Sequence, residues 1–315
     1  MQVVDLFCGA GGFSEGARLA GHHVCLAVDA DPDAVAVHVR NHQNTDHVCT
    51  ALPDVDVSAR VRILVAEGAH VHASPPCQKL SQANRVVEED ETANALALVR
   101  WYLEDIVVAM KPTSWSFEQV CAPVIISILE KLKTTHPNIF DYERLNCADV
   151  GIPQERKRLV AGTPEIIQRV RNARVSAPRR CIRDAIPDPP GTHMKTTATN
   201  TPDRINGGHR PLRPTEGLRS VTRPSYTILA KGPPSWTNEG GVRIRSLTVE
   251  ECARLQTFPP DYDLSGTTKG RAQRYVGNAV PPELARIMMT RSDPLPPKEA
   301  GWTAKNQTPN RIRLQ

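Results

Sequence analysis

The sequence of 315 residues predicts an α/β fold: a doubly wound, mostly parallel sheet with a smaller loop-rich domain attached. Two observations carry that expectation. Short apolar strands alternate with helix-forming stretches through the first half, a pattern that needs parallel strands and crossover helices. Ten of the 27 prolines then fall between Pro178 and Pro234, where helical periodicity fades before returning near residue 247.

In chain order, "QVVDLF" reads as a strand running into the glycine-rich turn "CGAGGFSEG" and a short helix, "ARLAG". "HHVCLAVDA" is the next strand, and "PDAVAVHVRNH" opens with proline in its first turn, where the missing N–H costs nothing. "AHVHAS" is a further strand, "ETANALALVRWYLEDIVVAM" one long amphipathic helix and "SWSFEQV" another strand. "SLTVEECARLQTF" begins with a Thr248–Glu251 capping box. "RYVGNAVPPELARIMM" gives a turn and a proline-led helix, and the tail is polar. The domains expected are 1–162 for the catalytic, cofactor-binding unit, 163–246 for the small unit, 247–291 for a segment returning to the first, and 292–315 for the tail.

Composition narrows the function. Forty per cent hydrophobic residues suffice for a large core, and no run is long enough to span a bilayer. The N-terminus lacks a basic leader. Eight scattered cysteines without a CxxC pair fit a reducing cytoplasm and neither a disulfide framework nor a zinc site. His22, His23, His70 and His72 have no companions at ligand spacing, so no metal is assigned. The net charge of +5 is uneven: residues 163–246 hold fifteen Lys and Arg against six Asp and Glu, an excess of nine. That stretch reads either as a solvated surface or as a basic lobe meeting a polyanion.

Three places carry chemistry. The turn at 5–16 gives a ligand access to backbone and a helix N-terminus, although Ser14 breaks a strict GxGxxG. Asp29 ends the second strand, where a carboxylate can accept two ribose hydroxyls, so a nucleoside-containing cofactor is indicated. In "ASPPCQ" two prolines stiffen the bend that presents Cys77 at the carboxyl edge of the sheet. Glu118 in "FEQV" ends another strand. Arg156 and Arg158 in "PQERKR" are two apart, hence on one side if extended. Together they make a nucleophile, a proton donor and a clamp for an anion or carbonyl.

In this order the pieces resemble the cytosine-C5 DNA methyltransferase family. "DLFCGAGGFSEG" is similar to its cofactor motif, "PPCQ" to its nucleophile motif, "FEQV" to its Glu-Asn-Val motif and "NCADVGIPQERKRL" to its Gln-x-Arg-x-Arg motif. "SYTIL", "LTVEECARLQTFP" and "YVGNAVPP" match the closing motifs. The resemblance implies a Rossmann-like catalytic domain using S-adenosyl-L-methionine, with a target-recognition domain in the Pro- and Arg-rich gap. It implies catalytic roles for Cys77, Glu118, Arg156 and Arg158, cofactor contacts at Phe7, Cys8, Gly9, Gly11, Gly12 and Asp29, and substrate contacts at Pro76, Gln78 and Gln154. Asn278 reads equally as a turn residue and as a support for the nucleophile loop, and is grouped with the cofactor contacts. Three departures stand out. Gln119 replaces the Asn of Glu-Asn-Val. Ala30 replaces an aromatic beside the adenine. Ala51 falls where the acid for the adenine amino group belongs, leaving Asp54 or Asp56 as substitutes.

The reaction implied is methyl transfer to C5 of a flipped-out cytosine in a specific sequence of double-stranded DNA, through a Cys77–C6 adduct. The protein would be a cytoplasmic monomer, at the nucleoid in a prokaryote, alongside a restriction endonuclease acting on the same sequence. The rivals are a tRNA cytosine-5 methyltransferase, suggested by the short recognition region, and a catalytically silent DNA binder. A nicotinamide-dependent oxidoreductase leaves the thiol and arginines unexplained.

Overall fold

The computed structural model describes residues 1–76, 89–196, 200–202, 209–211 and 217–290. β1 (Gln2–Leu6), α1 (Gly12–Leu19), β2 (His23–Asp29), α2 (Pro32–Asn41), β3 (Asp46–Cys49), α3 (Val55–Ala66), β4 (His70–Ala73) and α4 (Glu89–Arg100) follow one another. α4 continues as a wider helix with i→i+5 hydrogen bonding, Trp101–Val108. β5 (Trp115–Gln119), α5 (Pro123–Thr135), β6 (Asp141–Asn146), β7 (Lys157–Gly162) and α6 (Pro164–Ser176) complete this layer. Seven of these strands form one sheet in the order β3-β2-β1-β4-β5-β7-β6. All neighbours are parallel except β7, which runs antiparallel to β5 and β6.

Alternation along the strands divides the core between the two faces. Val4, Leu6, Val71 and Phe117 point into a cluster with residues of α3 and α5, such as Val61 and Ile125. Val3, Ala27 and Val160 point the other way, against α1, α6 and α10. Burial on both faces is what a doubly wound parallel sheet requires, and the expected fold class is the one observed.

The second unit contains α7 (Ile182–Ala185) and the short strands β8 (His193–Lys195), β9 (Asn200–Pro202), β10 (His209–Pro211), β11 (Leu218–Ser220), β12 (Ser235–Thr237) and β13 (Arg243–Ser246). β11-β8-β12-β13 make a small antiparallel sheet, and β9 pairs with β10. α8 (Val249–Leu255), α9 (Lys269–Asn278) and α10 (Pro282–Met289) follow. Thr248 caps α8 in the expected capping box with Glu251.

The boundaries differ from expectation in two places. α6 belongs to the catalytic unit and not to the small one, because Ile166, Ile167 and Val170 recur at helical spacing and are buried against the sheet and α10. The small unit therefore begins after Ser176. The return segment is shared: Cys252 and Leu255 of α8 and Val276 of α9 join Trp236, Met194 and Ile228 in the small unit's core, whereas α10 packs on α1. The tail at 292–315 lies outside the described residues.

The basic excess is also partly neutralised. Arg171, Arg174, Arg179, Arg219 and Arg245 pair with Asp141, Glu143, Asp149, Glu155 and Glu251, all outside the span in which the charges were counted. Arg223, Lys231 and Arg243 are exposed.

Candidate active site

The carboxyl ends of β1, β2, β4 and β5 converge on a cavity of about 370 Å³. Ligands in open α/β sheets bind at this edge, because loops leaving parallel strands separate there. The β1–α1 loop forms one wall. Phe7 adopts a left-handed backbone with φ +60°, which costs a non-glycine residue roughly 1–3 kcal/mol. Gly9 follows at φ +51°, with no atom within 4 Å of where a Cβ would stand. Its N–H donates to Asp29 Oδ2 at 2.8 Å, while the Asp31 N–H donates to Asp29 Oδ1 at 2.9 Å. Two backbone donors thus orient the Asp29 carboxylate at the cavity wall. Burial nevertheless raises its pKa above the usual carboxylate value, against the opposing effect of those bonds.

Glu118 ends β5 and lines the same cavity, only 7% exposed. The antiparallel register Gln119↔Leu159 sets Arg158 just past the end of β5. Its Nε lies 2.8 Å from Glu118 Oε1. That contact is an ion pair without hydrogen-bond alignment, and Oε1 has no hydrogen-bond partner among the described residues. Gln119, 1% exposed, turns back toward the β4 exit. Its Nε2 donates to the Pro75 carbonyl at 3.0 Å and its Oε1 accepts from the Val120 N–H at 2.8 Å. The residue that departs from the family pattern therefore ties the Glu118 strand to the bend leading into Cys77. Pro76 lines the cavity, and Cys77 and Gln78 lie outside the described residues.

The family described as C-5 cytosine-specific DNA methylase matches residues 1–163 and 165–292. The chain belongs to that family. Type II methyltransferase M1.HphI of Haemophilus parahaemolyticus is 29% identical over 332 residues, covering 91% of this chain and 85% of its own. Type II methyltransferase M.HgiDI of Herpetosiphon aurantiacus is 27% identical, covering 92% and 93%. The crystal structure of S. pombe Dnmt2 methyltransferase has the same fold, with a TM-score of 0.59 at 16% identity over 92% of this chain and 97% of that one. The protein is a DNA cytosine-5 methyltransferase.

Not every residue expected at the methylase site faces the cavity. Arg156 is 1% exposed and precedes β7, so the two-residue spacing does not bring it beside Arg158. Its guanidinium donates to the carbonyls of Ile228, Gly277 and Ala279 at 3.0–3.3 Å. It thereby holds the carbonyls of both residues flanking Asn278, which is exposed and lines the cavity. Gln154 is wholly buried. It receives the Ile228 N–H at 2.8 Å and donates to Gln256 Oε1 at 2.8 Å, stapling "PQERKR" to "SYTIL" and the end of α8. Neither lines the cavity, and both tie separate chain segments together.

The glycines also divide. A Cβ on Gly11, at φ +93°, would stand 2.4 Å from the Tyr262 hydroxyl, and one on Gly12 2.4 Å from the Val280 carbonyl. Gly11 is thus required for packing against the return segment, while Gly12 serves that packing and still lines the cavity. Cys8 lines it too, but burial, with Asp5 and Asp29 nearby, pushes its thiol well above the ordinary value and leaves it neutral.

Asp54 caps α3 through the Val57 N–H, and Asp56 is exposed. Neither lines the cavity. The wall there is Ala30, Ala34, Ala51 and Leu52, closed by Asp31, Arg274 and Tyr275. The last two had no local signal: they reach Asp31 across more than 240 residues. Among the described residues no cluster could hold a metal ion, and no helix is long and apolar enough to cross a membrane.

Proposed function

We propose that the methylase transfers the methyl group of S-adenosyl-L-methionine to C5 of a flipped-out cytosine in a specific double-stranded DNA sequence, through covalent addition of Cys77 to C6. The observation that carries this reading is the Glu118–Arg158 pair, aligned for electrostatics yet open for hydrogen bonding, beside the Pro75–Pro76 bend. The cavity suits the cofactor. Its volume is in the range of small-molecule sites, about 300–1,000 Å³. Asp29 is oriented to accept ribose hydroxyls, and the Gly9 backbone is open to close approach. When bound, S-adenosyl-L-methionine supplies an electrophilic methyl group on a sulfonium.

The chain's own residues do the rest. C5 of cytosine is a poor nucleophile until the Cys77 thiolate adds at C6, which makes C5 enamine-like. An ordinary thiol has a pKa near 8.5, so positive charge must favour the thiolate. Glu118 shares a proton with N3 as negative charge develops on the ring, and Arg158 holds both Glu118 and the C2 carbonyl. Arg156 acts through the Asn278 turn. After methylation a base takes the C5 proton, the C6–S bond breaks and Cys77 is released. Reaching C6 requires the base to leave its stack, costing a few kcal/mol. Exposed cations such as Arg223, Lys231 and Arg243 offset this by gripping phosphates. The Type II relatives support a restriction–modification role beside an endonuclease that reads the same sequence.

Incubation with methyl-labelled cofactor and either mixed-sequence DNA or tRNA tests the reading. Label on DNA, with one short motif resistant to bisulfite conversion, is expected. Label on tRNA alone makes it an RNA enzyme, and DNA binding without label makes it a silent relative.

A further inference from the structure

On the β2–α2 side the cavity wall consists of small aliphatic groups: Ala30, Ala34, Ala51 and Leu52. None offers a flat surface to a heteroaromatic ring. Arg274 and Tyr275, in the last turns of α9, close the same side, and both donate to Asp31 Oδ2, the tyrosine hydroxyl at 3.2 Å. Asp31 is itself fixed, since its other oxygen caps α2 by accepting the Asp33 and Ala34 N–H groups. The Tyr275 ring is packed among Ala10, Ala34 and Val37. Arg274 is different. Its side chain is 45% exposed, its Cζ lies over the Tyr275 ring 5.5 Å from the centroid, and Asp31 grips it through an in-plane N–H. Because Asp31 directly follows Ala30, this pinned guanidinium stands beside the cavity where the Ala30 methyl leaves room.

We propose that Arg274 supplies the stacking plane for the purine of the adenosyl ligand. A guanidinium is planar and delocalised and stacks flat on aromatic faces, whereas an ammonium is a compact point charge with no plane to stack. In-plane pinning by a carboxylate occupies neither π face and restricts the guanidinium before the ligand arrives, which removes part of the ordering cost of binding. The assignment rests on the cavity being the S-adenosyl-L-methionine site.

The test is calorimetric titration of the full chain with S-adenosyl-L-methionine, comparing wild type with Arg274→Ala and Arg274→Lys, each checked for an unchanged thermal melt. The half-exposed position makes both variants compatible with folding. Loss of the plane should raise Kd about tenfold in both. Lysine keeps the charge toward Asp31, so a lysine variant that binds like wild type would reduce Arg274 to an ion-pair partner and overturn the proposal. An alanine variant with unchanged affinity would overturn it as well. Wild-type protein that fails to bind the ligand would instead remove the reading of the cavity, and this proposal with it.

Discussion

Gln119→Asn restores the residue that the family resemblance leads one to expect, and resemblance alone predicts tolerance or a gain in activity. The structure predicts loss. The Gln119 amide spans two anchors, the Pro75 carbonyl at 3.0 Å and the Val120 N–H at 2.8 Å. Removing one methylene withdraws the amide by about 1.5 Å, which takes the Pro75 contact beyond hydrogen-bonding range. The Val120 bond is local, and an asparagine can make the equivalent one. The net change is one buried carbonyl without a partner, worth about 1–3 kcal/mol. Because Pro75 lies two residues before Cys77, that energy biases the bend away from its working position, by about 5- to 150-fold in population. Single-turnover methyl transfer should slow within that range, and urea unfolding should shift to lower denaturant. Gln119→Glu keeps the length and loses the donor, so it should do no better. An Asn variant as fast and as stable as wild type would refute the reasoning.

Four further outcomes are expected. Glu118→Gln cannot share a proton with N3, and its rate should fall roughly a hundredfold or more; near-normal turnover would show that step not to limit. Arg156→Met leaves the carbonyls of Ile228, Gly277 and Ala279 without their cation, so urea unfolding should show a loss of about 3 kcal/mol or more; a fully stable but inactive variant would contradict the scaffold role. Burial holds neutral His70 at a pKa of about 3 and His42 at about 4, with His38 and His72 also well below the usual value. The unfolded chain therefore binds more protons, and this contribution to stability is lost as pH falls below about 6.5 toward those folded values. Asp5, raised by burial to about 7, works in the opposite sense: its contribution is present below about 4 and lost as pH rises through 7. The four histidines should dominate, and a higher urea midpoint at pH 5 than at pH 7 would contradict this. DNA affinity should fall with salt along a log–log slope shallower than about −8, the value for nine neutralised phosphates, because five of the arginines counted are already paired; a steeper slope would mean those pairs open on DNA.

Features set by local chemistry were legible in the sequence. β1, β2, β4 and β5 are apolar runs ending in the residues that build the site, and Asp29 and Glu118 stand where strand ends must place them. The β6–β7 hairpin was not read, because its outward charges in "DYERLN" interrupt the apolar signal. The packing of α6 across residue 163 was not read because arginine-rich composition outweighed the Ile166–Ile167–Val170 spacing that anchors it. The backbone contacts of Arg156 and Gln154 were not legible for another reason. Spacing along a chain says which residues share a side only where the chain is extended, and both precede β7. The Asp31–Arg274 contact joins the two ends of the sequence and leaves no local trace.

The most direct test of the central claim is a covalent trap. A DNA duplex containing 5-fluorocytosine at the methylated position, incubated with cofactor, offers no C5 proton to remove after Cys77 has added. The account predicts a protein–DNA adduct that survives denaturation, maps by peptide mass to Cys77 and is absent from Cys77→Ser. Methyl transfer to ordinary DNA with no trapped adduct, or an active serine variant, would contradict it.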